Sequence, residues 1–171
     1  MVSRFLRPGQ ALGAVKYFTA RISGPADKKS RQDAYLAALG SVPGVSVFEG
    51  HYLTKDFRCQ ACGRTNSVPT EKMTDVNIAS EMLVDAFHDA FDTAFLVSGD
   101  SDLTPPVRHI RALFPRKSVV VLFPPRRVSD SLRSASQASL VIGESHLRHS
   151  QFPEVIQFPA GASVNRPALW H

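Results

Sequence analysis

Cysteine is nearly absent: the chain has two among 171 residues, Cys59 and Cys62. Two such close thiols cannot build the disulfide framework of a small secreted domain. No apolar run approaches the ~20 residues of a membrane span. The opening Met1-Val-Ser-Arg-Phe-Leu-Arg-Pro8 lacks the apolar core of a secretory signal. Ten glycines are present, but none falls in a Gly-x-Gly-x-x-Gly or Walker-type loop. A dinucleotide enzyme and a P-loop NTPase are therefore not indicated. The His-x-Glu and Pro-Cys-x-x-Cys pair of a zinc deaminase is also missing. There is no internal repeat. These absences predict a soluble, cytoplasmic protein without a membrane partner or a small-molecule cofactor.

Hydrophobic content of 43% and charged content of 20% describe an ordinary globular chain, long enough for a real core. The net charge of +5 is unevenly spread. Residues 1–70 carry ten Lys and Arg against four acids, and residues 101–171 carry nine against four. Residues 71–100 reverse the sign, with seven acids and one Lys. An acidic centre between basic flanks suits a cation site that serves a polyanion. The alternative is that part of this acidity is a solvated helix face. Glu81, Asp85, Asp89 and Asp92 fit that alternative by their three- and four-residue spacing.

Short apolar runs alternate with helical patterns. Strands are expected at Ala14–Ile22, Val45–Phe48, Thr93–Val97, Ser118–Phe123 and Ser139–Ile142. Helices are expected at 28–39, 74–90, 105–113 and 129–137, with a last helical turn at 144–149. The helix from Thr74 has its apolar stripe at Val76, Ala79, Met82, Leu83, Ala86, Phe87 and Ala90. Turns are expected at 23–27 and 41–44. The polar stretch 50–70 reads as an irregular insert, and 150–171 as an extended tail holding Trp170. A β-α-β order with apolar strands predicts an α/β fold: a three-layer α/β/α domain over 1–149 around a mostly parallel central sheet.

Chemistry concentrates where the strand ending at Val97 meets Ser98-Gly-Asp-Ser-Asp102. Paired acids on a strand-to-helix turn stand where an open α/β sheet places its sites. Asp102 can instead cap the following helix. Asp75, in the first turn of an earlier helix, is a third candidate. Converging carboxylates repel unless a cation holds them, and hard oxygen ligands favour Mg²⁺ or Mn²⁺. Arg126 and Arg127 follow the next strand and are expected to contact phosphate. Arg108, Arg111, Arg116 and Lys117 are either part of that basic surface or simply solvated. Lys72 contacts phosphate or pairs with an acid. His88, His109, His146 and His149 show no ligand spacing.

The segments Glu71-Lys-Met-Thr-Asp-Val-Asn-Ile-Ala79 and Asp92-Thr-Ala-Phe-Leu-Val-Ser-Gly-Asp-Ser-Asp-Leu-Thr-Pro-Pro-Val107 resemble the NYN domain, in the LabA-like branch of the PIN-like nucleases. The resemblance spans roughly residues 14–143. It implies a PIN-like fold and a ribonuclease that uses Mg²⁺ or Mn²⁺ and acts on RNA. Its acidic site maps onto Asp75, Asp100 and Asp102, with Ser98 beside it among the RNA-contacting residues. Members of this family open with a strand carrying Asp-x-x-Asn, a ligand of the ion. Met1 to Gln10 does not match that strand, so the chain is expected to start inside the first helix, one ligand and one central strand short. A second reading is accordingly an RNA-binding module without catalysis. A third is a protein-interaction scaffold using the Cys loop and the Pro-rich tail.

Cys59-Gln-Ala-Cys62 supplies two of the four ligands that structural zinc needs. His51 is a candidate third, and a homodimer could share the ion. The alternatives are a pair of reduced thiols or a redox motif; the latter is disfavoured because no strand runs directly into a helix there.

Overall fold

The computed structural model describes residues 1–22, 24–159 and 161–170, without the side chains of 53–55 and 67–71. Ser23 of the expected 23–27 turn, and Ala160 and His171 of the expected tail, lie outside the described residues. The fold is mixed α/β, and parallel pairing dominates its sheets. The chain divides into two compact units. One holds Met1–Gly13 and Ile78–Gln151; the other holds Ala14–Asn77 and the segment from Phe152 onward.

The first unit is built on a parallel sheet of β4 (Thr93–Val97), β5 (Ser118–Phe123) and β6 (Ala138–Val141), in that order. β5 lies between two neighbours. This explains its unbroken apolar sequence: a parallel strand covered on both faces has no solvent side on which to place polar residues. Val119, Val121, Leu122 and Phe123 are fully buried. Each such side chain contributes about 1.5–3 kcal/mol relative to an exposed one. Helix α3 (Thr104–Leu113) covers this core with Val107 and Ile110 and keeps Arg108 and Arg111 outside. Its prolines in the first turn cost no hydrogen bond, because those N–H groups would be unpaired anyway. Pro115 stops it, since the residue before proline is pushed out of helical geometry. Helix α4 (Asp130–Ala135) adds Leu132 and Ala135 to the same core. The short α5 (Glu144–Arg148) follows, and Phe5 near the N-terminus stacks on its His146.

Lys117 departs from the expected solvated surface. It is buried, and its ammonium donates to Asp89 and to the Phe91 carbonyl (2.8 Å) while lying over the Phe91 ring. Asp89 is well exposed, and this bond holds its carboxyl below the ordinary aspartate range.

The second unit pairs β1 (Val15–Ala20) in parallel with β2 (Val45–Arg58), and β2 antiparallel with β3 (Thr65–Lys72). The crossover between β1 and β2 is α1 (Ala26–Gly40). The expected irregular insert is instead a long hairpin, with β2 running ten residues past its expected end at Phe48. Its polar sequence lacks a clean apolar alternation, so the strand signal is weak. Likewise the expected tail forms a small antiparallel pair, β7 (Val155–Gln157) and β8 (Ser163–Asn165). Phe152 and Trp170 meet Tyr35 of α1 edge-on at 6.1 and 6.0 Å. Burial pushes the Tyr35 hydroxyl pKa up.

Helix α2 (Thr74–Phe87) starts in the second unit and continues in the first from Ile78. Its packed residues are Ile78, Met82, Leu83 and Ala86. Val76 and Phe87, expected in the stripe, are exposed, whereas Glu81 and Asp85, expected in solvent, are half-buried. The buried stripe is thus rotated from the expected one. The sequence offers apolar residues on more than one side of this helix, and only packing selects between them.

Candidate active site at the strand ends of the parallel sheet

Val97 of β4 is in register with Leu122 of β5, so the two strands end level at one edge of their sheet. The turns that follow them lie side by side. The first is Ser98-Gly-Asp-Ser-Asp102. The Ser98 hydroxyl accepts from the Asp100 N–H at 3.1 Å, and the Asp100 carboxylate accepts from the Asp102 N–H at 3.0 Å. Asp100 therefore caps the short 3₁₀ turn Ser101–Leu103. The alternative in which Asp102 caps the following helix does not hold, since α3 begins after Leu103 with no side-chain cap at all. Leu103 is fully buried and pins the turn, leaving Asp100 and Asp102 both exposed.

The second turn is Pro124-Pro-Arg-Arg127, closed by Arg127 N–H to the Pro124 carbonyl at 3.2 Å. Arg126 sits at φ +62°, a left-handed conformation that side chains rarely adopt. Both arginines are exposed. The two turns touch at Gly99. A Cβ there would lie 2.5 Å from the Arg127 carbonyl oxygen. Only glycine admits that approach, and it sets two carboxylates beside two guanidinium-bearing residues on one sheet edge.

Three hydroxyls missed by the sequence reading line this corner. Buried Thr104 reaches Ser131 at 3.4 Å, Ser131 meets Ser129 at 3.0 Å, and Ser129 accepts from the Leu132 N–H to cap α4. A Ser-x-Ser at the start of a short helix is the available signal.

Asp75 and Lys72 belong to the other unit. Asp75 is exposed in the first turn of α2, and Lys72 ends β3 opposite His51. Met73, at φ +73°, turns the chain between them. Gly50 admits this corner, since a Cβ there would stand 2.6 Å from the Lys72 carbonyl. Of the expected acidic triad, one unit brings Asp100 and Asp102 together. Among the described residues no three His, Cys, Asp or Glu side chains group tightly enough to hold an ion. Two carboxylates with open surroundings still suit Mg²⁺, which keeps several waters and takes one or two protein carboxylates plus substrate phosphates.

Cys59 and Cys62 occupy the tip of the β2–β3 hairpin as exposed, free thiols. The Cys59 thiol accepts from the backbone N–H groups of Cys62 and Ala61, which holds its pKa below the usual thiol range. His51 is opposite Lys72 while Arg58 is opposite Thr65. Seven strand residues put His51 about 23 Å from the tip, too far to join the thiols.

Residues 16–143 match the family model described as the NYN domain. This chain belongs to the NYN family. The NYN family suggests the PIN-like nuclease superfamily, in keeping with the α/β architecture above. This NYN protein is 27% identical to a 6-hydroxy-3-succinoylpyridine 3-monooxygenase of Pseudomonas putida, over 92% of its own length. It spans only 57% of that relative. Its fold is also similar to the crystal structure of a protein of unknown function from Vibrio parahaemolyticus. That match has a TM-score of 0.52 and 24% identity, over 77% of this chain and 69% of the other. Among the described residues no helix is long and apolar enough to cross a membrane.

Proposed function

We propose that this NYN protein, of the LabA-like branch, is a metal-dependent ribonuclease acting at the edge where β4 and β5 end. The observation that carries this reading is the contact at Gly99, which fixes the Asp100/Asp102 turn against the Arg126/Arg127 turn. Asp100 and Asp102 would hold Mg²⁺ or Mn²⁺. Such an ion, when bound, supplies an activated water and offsets charge building on a phosphate. Arg126 and Arg127 bind the RNA backbone through charge-assisted contacts to phosphate oxygens, which orient the strand without reading its sequence. Ser98 holds the Asp100 backbone, and the Asp100 carboxylate in turn holds the Asp102 backbone, so the turn that carries both acids is preorganised before substrate arrives. Asp75, in the first turn of α2, is carried over from the family's acidic site, and Lys72 is assigned a phosphate contact; Asp75→Asn tests the former.

The decisive assay is Mn²⁺-dependent cleavage of single-stranded RNA by the wild type and by Asp100→Asn. Asn keeps the capping acceptor, so the variant stays folded while losing the charge. Expected is a loss of at least about 100-fold, on the order of 3 kcal/mol of transition-state stabilisation. Undiminished cleavage would refute the assignment.

One observation favours a second reading, an RNA-binding module without cleavage. Among the described residues β4 pairs with β5 only, so its other ladder is open to the strand that carries a further acid in this family. Binding that weakens with salt but is indifferent to Mg²⁺ and to Asp100→Asn would favour this reading.

A further inference from the structure

The hairpin tip is a tight turn that carries both cysteines. Its last paired residues are Arg58 and Thr65. Beyond them the Cys59 N–H donates to the Arg64 carbonyl at 2.8 Å, and the Gly63 N–H returns to the Cys59 carbonyl at 2.8 Å. Gly63 takes φ +70°, the left-handed conformation that lets the chain turn back immediately after Cys62. The turn aims the Ala61 and Cys62 N–H groups at the Cys59 sulfur. Both sulfurs lie on the open side of one tight turn, close enough that the Cys62 thiol itself bonds to Cys59. Two soft ligands in this geometry match half of a tetrahedral Zn²⁺ site.

A structural zinc site is closed by four protein ligands. Those 171 residues hold no further cysteine, and the strand register removes His51. The tip is exposed, and Phe57, two residues from Cys59, leaves 56% of its surface in solvent. Arg58 and Arg64 flank the thiols, and an Arg58 guanidinium nitrogen lies 4.0 Å from where a Cβ on Gly63 would stand. Four thiolates and one Zn²⁺ carry a net charge of −2, and the four arginines of two tips, +4 in all, more than offset it. We infer that the Cys59–Cys62 tip binds one Zn²⁺ jointly with the same tip of a second copy, giving a two-fold Cys₄ site that joins two chains. The symmetry is the ordinary one for a homodimer, in which the same patch meets itself. Each thiol gives its proton to solvent as it ligates. The inference does not depend on the ribonuclease reading, because it uses a different part of the chain and a different ion.

The test is elemental analysis with light-scattering mass measurement on the full chain, purified without tags and equilibrated with Zn²⁺. Expected are one zinc per two chains and a dimer. Chelation of the wild type should remove both and leave a monomer, and adding Zn²⁺ back should restore them. Cys59→Ser should be monomeric and lack zinc. Replacement by Co²⁺ should give the intense sulfur-to-metal absorption of four thiolates, with half a cobalt per chain. Absence of bound zinc, one zinc on each monomer, or a dimer that survives chelation or Cys59→Ser would each overturn the inference.

Discussion

Gly99→Ala is the sharpest probe of how the site is assembled. The added Cβ would meet the Arg127 carbonyl oxygen at 2.5 Å and the Arg127 Cβ at 3.0 Å. Neither neighbour is a flexible side-chain end. To reach even the closest separation that real Cβ atoms show, one of the two turns must recede by about half an ångström. The φ of Gly99 is not left-handed, so backbone conformation adds no penalty of its own. The cost is therefore one of overpacking, roughly 1–3 kcal/mol. For a chain of this size each kcal/mol lowers Tm by about 2–4 °C. Gly40→Ala is the control. Gly40 is helical, has open space around its Cβ position, and should gain roughly 0.5–1 kcal/mol from the same chemical change. Thermal unfolding and RNA cleavage are measured on both. The expected result is opposite shifts in Tm, with Gly99→Ala also losing activity because the acid turn no longer meets the arginine turn. A Gly99→Ala variant that unfolds at or above the wild-type temperature would refute the contact.

Lys117→Ala should destabilise by about 1–3 kcal/mol, because the Phe91 carbonyl loses its buried donor; denaturant titration measures this. Asp89 adds a pH dependence. Its folded pKa is depressed by Lys117, so its contribution is fully present above the ordinary aspartate value and is lost as pH falls through the folded pKa. Asp89→Asn should flatten that acid limb of stability, and an unchanged limb would count against the pair. Phe123→Ala, at the centre of the parallel sheet, should cost about 3–5 kcal/mol in the same titration.

The sequence carried the candidate site further than it carried the element boundaries. Asp100, Asp102, Arg126 and Arg127 were legible because each follows an apolar run, and strand ends of a parallel sheet necessarily face one edge. The long hairpin was not legible, because β2 and β3 lack a clean apolar alternation and ladder bonds use backbone groups that any residue but proline offers. Lys117 was read as surface because nothing local announces a buried cation; its partners are 28 and 26 residues away.

By itself, then, the sequence determined the α/β class, the strand β5, the acid turn and the NYN resemblance. Those depend on local pattern: apolar runs, helix spacing and the residues of one turn. Tertiary structure alone decided that Gly99 meets the Arg127 carbonyl. It also decided which face of α2 is buried and that His51 stands far from the thiols. Each of these depends on which distant segment the chain brings alongside, and residue order within a segment does not encode that partner.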